Sequence, residues 1–318
     1  MVQIGYTLSS EEHDPKTLVE NAQRAEAAGF SFAMISDHFH PWVDAQGHSP
    51  FVWSVLGGIA TSTSSIRVGT GVTCPTIRIH PAIIAQAAAT TAAMMPGRFM
   101  LGVGSGENLN EHILGDRWPQ VDIRLEMLEE AVDVIRTLWQ GGLQSYHGLH
   151  YDVENARIYT LPDELPPIMV AAAGEKAATL AGEIGDGLIN VSPAEEVVDA
   201  FATAGGSGKP RFLQQQVCWA EDEQAAIDTV FTRWPNGAIS GQVSQELPLP
   251  SHFEQAASLV RKEDIAESTV CGPDLDRYIE LIEQGIAAGF DHIYLHQVGD
   301  DQEGFIRFTE REILPRYQ

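Results

Sequence analysis

The sequence predicts an α/β fold, a (β/α)8 barrel of the TIM type that occupies residues 1–318 as a single domain. Three observations lead there. Short apolar runs alternate with amphipathic helical stretches along the whole chain, and eight such runs can be counted. Parallel strands need crossover helices, and eight of them close a sheet on itself. The ionisable and aromatic residues gather where the predicted strands end, which is where such a barrel carries its chemistry. An open, doubly wound sheet is the competing architecture for the same alternation.

Residues 2–8 read as the first strand. Residues 15–29 read as a helix: Asp14 is placed to cap it, Pro15 suits its first turn, Leu18, Ala22 and Ala25 share a face, and Gly29 closes it. A strand at 30–36 and a helix at 51–63 follow, with Trp53, Leu56 and Ala60 at helical spacing. Strand three at 66–73 leads to an alanine-rich helix at 81–95. Strand four at 99–103 leads to a helix at 121–139, with Leu125, Leu128, Val132, Ile135 and Leu138 on one side. Residues 141–164 break the rhythm in an insertion with a hairpin-like piece at 151–158. Strands at 167–173, 187–191 and 212–219 come next, with helices at 175–183, 194–204 and 223–234. A second insertion lies near 235–270, with a short helix at 252–261, because the alternation resumes beyond it. A helix at 275–289, strand eight at 292–296 and a helix at 305–314 complete the pattern.

The formal net charge of −25 argues against nucleic acid and anionic membrane as partners and leaves a small-molecule substrate. Only four of the 19 basic residues are lysines. No apolar run approaches the roughly 18 residues of a membrane span, and the first residues lack the basic and apolar regions of a signal peptide. Cys74, Cys218 and Cys271 are odd in number and far apart, without metal-ligand spacing, so reduced thiols in a cytoplasm fit best.

The chemistry is densest at Ile35-Ser36-Asp37-His38-Phe39-His40-Pro41-Trp42, where an apolar strand runs into a carboxylate, two imidazoles and an indole. His38 adjoins Asp37 and has Trp42 near, which suits a proton-transfer role; a histidine satisfied in the core is the bland alternative. His40, His13 and His48 are weaker candidates, and the spacing forms no known metal-ligand set. The stretch 102–106 approaches a dinucleotide fingerprint but has Glu107 where the third glycine belongs. Its glycines leave room for a flat ring or a phosphate, or simply make a tight turn. Glu107 directly follows that strand end, and Glu11 ends strand one as a substrate contact in the same pocket. Ala173, Gly174 and Glu175 form a strand-to-helix corner whose free amides could bind an anion, with Lys176 beside them; ordinary corner packing is the alternative.

Residues 36–42, 73–78, 80–86, 102–111 and 181–187, in this order and spacing, resemble the luciferase-like monooxygenase superfamily. Within it the chain is similar to the coenzyme F420-dependent dehydrogenases. The resemblance implies a barrel that binds this 5-deazaflavin at its strand C-termini and transfers a hydride to C5 of the ring. It implies His38 as the base that removes the substrate hydroxyl proton, Trp42 as a stabilising wall and Glu107 as an acid toward N1. Asp37 and Asn110 would bind the deazaflavin, with Cys74 beside it. Gly71-Val72 would form a non-proline cis peptide behind the ring, and the amides of Ala173, Gly174 and Glu175 would hold the coenzyme phosphate. A homodimer is the family expectation.

Sugar-phosphate members of that group grip the phosphate with lysines and an arginine. The matching stretch here is Ser192-Pro193-Ala194, and Asp264-Ile265-Ala266-Glu267 is acidic where a base is expected. An acidic wall repels a phosphate dianion, so the expected substrate is a neutral alcohol, hemiacetal or sugar hydroxyl and not a sugar phosphate. Cys74 favours the alcohol branch. The alternatives are an FMN-dependent monooxygenase of the same superfamily and a non-catalytic flavin or deazaflavin binder.

Overall fold

The computed structural model describes residues 2–239 and 241–317. Its first half runs β1 (Gln3–Leu8), α1 (Pro15–Ala28), β2 (Phe32–Ile35), α2 (Val52–Ser62), β3 (Arg67–Thr70), α3 (Pro81–Met94), β4 (Phe99–Val103), α4 (Asn108–Glu111) and α5 (Val121–Leu138). An antiparallel hairpin follows, β5 (Gln144–His147) and β6 (Asp152–Ala156). Then come β7 (Ile168–Ala171), α6 (Glu175–Ile184), β8 (Gly187–Asn190), α7 (Glu195–Phe201), β9 (Arg211–Cys218) and α8 (Glu223–Arg233). Three short helices, α9 (Val243–Glu246), α10 (Pro250–Ala257) and α11 (Lys262–Ser268), lead to β10 (Val270–Cys271), α12 (Leu275–Ala287), β11 (His292–Gln297) and α13 (Gln302–Phe308).

The predicted barrel forms. Eight parallel strands run in the order β11, β1, β2, β3, β4, β7, β8, β9, and β9 pairs with β11 to close the ring. The two-residue β10 pairs with the upper end of β9. Local chemistry explains the elements. The Asp14 carboxylate accepts the amides of Lys16 and Thr17 at the start of α1, and Gly29, at φ +90°, ends it. In α5 the leucines and isoleucines of the sequence stripe are buried against the strands. Phe32, Met34, Met100, Met169, Ile189, Phe212 and Tyr294 pack together, so the barrel is a filled core and not a pore. Val72 and Ala171 pack against this plug and floor the mouth above it.

The second insertion holds three helices where the pattern predicted one. It is fastened to the loops after β2 and β4. The Asp44 N–H donates to Glu254 at 3.1 Å, and the Asn108 amide donates to the Glu246 carbonyl at 2.9 Å. Arg124, at the start of α5, donates to the Gln245 side chain at 2.8 Å, lies 3.5 Å from Glu246 and stacks on Trp118. Phe253, Val43 and Leu109 form one apolar cluster with Trp42, Ile239 and Leu247 against it. The insertion therefore packs against the loops that carry Trp42 and Glu107. No helix among the described residues is long and apolar enough to cross a membrane.

Candidate active site

The chain leaves β1 at Leu8 and stays buried as far as His13. It is pinned to the end of β2, where the Ser10 N–H donates to Ser36 Oγ at 3.0 Å. Glu11 is buried between the two extensions. Its Oε2 accepts from Ser36 Oγ at 2.6 Å and from Ser9 Oγ at 3.2 Å. Its Oε1 lies 3.4 Å from His38 Nε2. The His38 Nδ1 is 3.2 Å from the His40 carbonyl, which can only accept, so Nδ1 carries a proton and Nε2 faces the carboxylate. A ring that takes up a second proton at Nε2 finds an acceptor for each of its N–H groups. Trp42 packs on the ring at 5.0 Å between centroids, and its own far side meets Phe253.

Asp37 points away from His38. Its Oδ2 accepts from Thr73 Oγ1 at 2.7 Å, and its Oδ1 accepts from Arg78 at 2.9 Å. The Arg78 backbone N–H donates to Glu111 at 2.7 Å, and its Nε lies 3.5 Å from the same carboxylate, so the guanidinium sits between two buried carboxylates. Burial pulls the Arg78 pKa down, but Asp37 and Glu111 more than offset this and hold it above its ordinary value. Burial pushes Glu111 up to about 7, against the pull of Arg78. Asn110, next to Glu111, accepts the amides of Phe39 and His40 at 2.9 and 3.2 Å and so shapes the turn that presents His38. Its side-chain amide reaches Glu107 at 3.5 Å.

The glycines after β4 have a steric reason. A Cβ on Gly102 would stand 1.9 Å from the Thr70 carbonyl oxygen, and one on Gly106, at φ +80°, would stand 2.5 Å from Cys74 Sγ. The β3 extension crosses there with a cis peptide at Gly71-Val72, and Val72 lies under Gly104. Cys74 is buried, with Sγ 3.0 Å from Thr76 Oγ1, and burial pushes its thiol well above the usual range.

Ala173, Gly174 and Glu175 lie exposed at the start of α6, whose N-cap has no side-chain hydrogen bond. The first amides of that helix are thus free donors at the positive end of its dipole, and the space beside Gly174 is open. Lys176 is paired with Asp122. This corner is three strands round the ring from β2. Glu11, His38, Trp42, Asp37, Asn110, Glu107 and Cys74 cluster on the β1, β2, β3 and β4 side, while Ala173, Gly174 and Glu175 face them from β7. Small side chains at Val72, Gly104 and Ala171 lie between. A flat ring over this floor, with a phosphate at the α6 amides, fits the residues present. Neither Ser36 nor Arg78 carries a sequence signal of its own, although both stand in the motifs quoted above, Ser36 directly after β2 and Arg78 in the loop between β3 and α3.

Comparison with known proteins places the whole chain. The sequence profile of a family described as Luciferase-like monooxygenase matches residues 1–292. An F420-dependent glucose-6-phosphate dehydrogenase of Microbacterium testaceum is 34% identical over 99% of this chain and 97% of its own length. One from Mycobacterium tuberculosis is also 34% identical, over 99% and 98%. The structure of an F420-dependent secondary alcohol dehydrogenase in complex with an F420-acetone adduct superposes with a TM-score of 0.92 at 31% identity, covering 100% of this chain and 99% of the other.

These findings correct the expectation that sugar phosphates are excluded: full-length relatives are named for one. The acid expected to repel a phosphate has another role. Asp264, half-buried in the first turn of α11, is bound to the Arg261 side chain at 2.7 Å and to the Arg261 N–H at 2.9 Å. Its charge is spent on a cation and a helix end.

Proposed function

The chain belongs to the luciferase-like monooxygenase family, and from that premise we propose that it is a coenzyme F420-dependent dehydrogenase acting on a hydroxyl-bearing carbon, with a sugar phosphate as its substrate class. The observation that carries the chemistry is the buried Glu11–His38 pair at the barrel mouth. When bound, the deazaflavin supplies a two-electron hydride acceptor. His38 Nε2 receives the hydroxyl proton, and Glu11 stabilises the imidazolium so formed while Nδ1 stays on the His40 carbonyl. Trp42 walls the pocket and excludes water, and Glu107, half-buried at the α4 N-terminus, is the proton donor on the other side. Asn110 and Asp37 hold the loop against which the coenzyme rests, Val72 and Cys74 shape its floor, and the amides at Ala173, Gly174 and Glu175 take its phosphate. The substrate class rests on the full-length relatives.

The test is anaerobic turnover with F420 and, separately, FMN, against glucose 6-phosphate, glucose and 2-propanol. Reduction of F420 by glucose 6-phosphate supports the proposal. Turnover only with FMN and oxygen, or tight coenzyme binding with no turnover on a broad panel, would overturn it. The proposal also places the protein in a cytoplasm, which its three free, buried cysteines support, and as a homodimer, to be read from light scattering on the purified chain.

A further inference from the structure

Glu11 has a neighbour with the same arrangement. Glu12 is buried, its Oε2 lies 3.4 Å from His296 Nε2, and its Oε1 accepts the Gly299 N–H at 3.0 Å. Adjacent carboxylates at the end of β1 thus hold two different imidazoles, one from β2 and one from β11. The contact with His296 holds the Glu12 carboxyl below its ordinary value, although burial opposes it.

His296 faces inward. Alternate residues of β11 share a face, and on that face His292 packs on Phe212 and Tyr294 belongs to the barrel plug. His296 is the next residue up, at the level of the mouth. Its ring meets the Trp234 ring edge-on at 4.6 Å between centroids, and Trp42 packs on the cluster that contains Trp234. The run His38, Trp42, Trp234, His296 therefore lines a continuous wall. Among the described residues only Glu12 bonds the His296 ring, and Nδ1 has no protein partner and is not a sealed, orphaned atom. With Nε2–H directed at a carboxylate, Nδ1 presents a lone pair.

We propose that His296, oriented by Glu12, is a specificity-determining residue: its Nδ1 accepts a hydrogen bond from a hydroxyl of a polyhydroxylated substrate other than the hydroxyl that is oxidised. The assignment rests on the dehydrogenase reading for what is oxidised, but not for what is bound. A substrate with a single hydroxyl has nothing to offer this nitrogen. A sugar, phosphorylated or not, has several.

Three variants of the full chain separate recognition from structure. His296→Asn keeps an acceptor near the place of Nδ1 and loses the reach to Glu12. His296→Gln keeps the reach to Glu12 and loses that acceptor. His296→Ala loses both. Calorimetric affinity for glucose 6-phosphate and glucose, and KM and kcat with F420 for these and for 2-propanol, are the readouts. The expected result is a sugar affinity at least tenfold weaker in the Ala and Gln variants, carried by KM, with Asn closer to the wild type and 2-propanol kinetics changed less than twofold. Equal losses for sugar and simple alcohol, a Gln variant that binds sugar better than Asn, or unchanged sugar affinity in the Ala variant would overturn the assignment. An absence of F420 turnover in the wild type refutes the dehydrogenase reading alone, because the calorimetric series still reads His296.

Discussion

Glu11 spends one carboxylate oxygen on His38 and the other on two serines, so it cannot turn away from the imidazole without losing Ser9 and Ser36. Its replacement by Gln is expected to lower kcat by about 10²-fold with coenzyme affinity unchanged, and His38→Ala by about 10²–10⁴-fold, as measured by F420 reduction and by coenzyme fluorescence titration. Glu111 makes a prediction of another kind. Its carboxyl is raised to about 7 by burial, so between pH 4.5 and 7 the folded chain holds a proton that the unfolded chain has released. Stability from this group is complete below pH 4.5 and is lost as pH rises through 7, a change on the order of 3 kcal/mol. In denaturant unfolding, the advantage of the wild type over Glu111→Gln should shrink across that window; a constant difference would reject the assignment. The placement of His38, Trp42 and Glu107 at the mouth was legible in the sequence because each follows a strand end. The partnership of Glu12 with His296 was not, because 284 residues separate them and only barrel closure makes them neighbours.

Strands and long helices were legible for a similar reason, since each carries several repeats of its own period. The helices α4 and α9 are four residues long and offer no period to read, and the insertion holds three helices where its pattern predicts one. What holds the insertion in place is equally invisible in sequence: a wholly buried Arg124 whose partners are the Pro119 carbonyl, Gln245 and Glu246. Arg124→Ala removes all three contacts and the stacking on Trp118, and leaves a cavity. The expected cost is about 2–4 kcal/mol in denaturant unfolding, with faster proteolytic cleavage within residues 241–257. Unchanged proteolysis would show that Phe253 and its apolar neighbours hold the insertion unaided.

The whole molecule carries a formal charge of −25, and many of its exposed carboxylates have no cation to meet, because acidic residues outnumber basic ones 44 to 19. Such a surface repels itself, and salt screens the repulsion, with a Debye length that falls from about 10 Å at 0.1 M to about 3 Å at 1 M. The melting temperature is expected to rise by several degrees between 0.05 and 1 M sodium chloride; a flat or falling dependence would mean that the surface charges are already spaced beyond mutual reach. The sign of this effect is readable from composition alone, whereas the substrate is not, because it depends on which charges face the mouth. Asp264 shows why: an acid in the right stretch of sequence turned out to serve a helix end.

The ring of strands closes where β11 meets β1 and β9. A chain caught with the other seven barrel strands packed would already hold His38 against Glu11, since both come from its first two strand ends. It would leave Glu12 with neither an imidazole nor the Gly299 amide, a bare carboxylate at the edge of a forming core. Joining β11 gives that carboxylate its imidazole and its amide, and adds His296 to the wall. The sugar contact proposed for His296 therefore depends on the joined ring, whereas the Glu11–His38 pair does not.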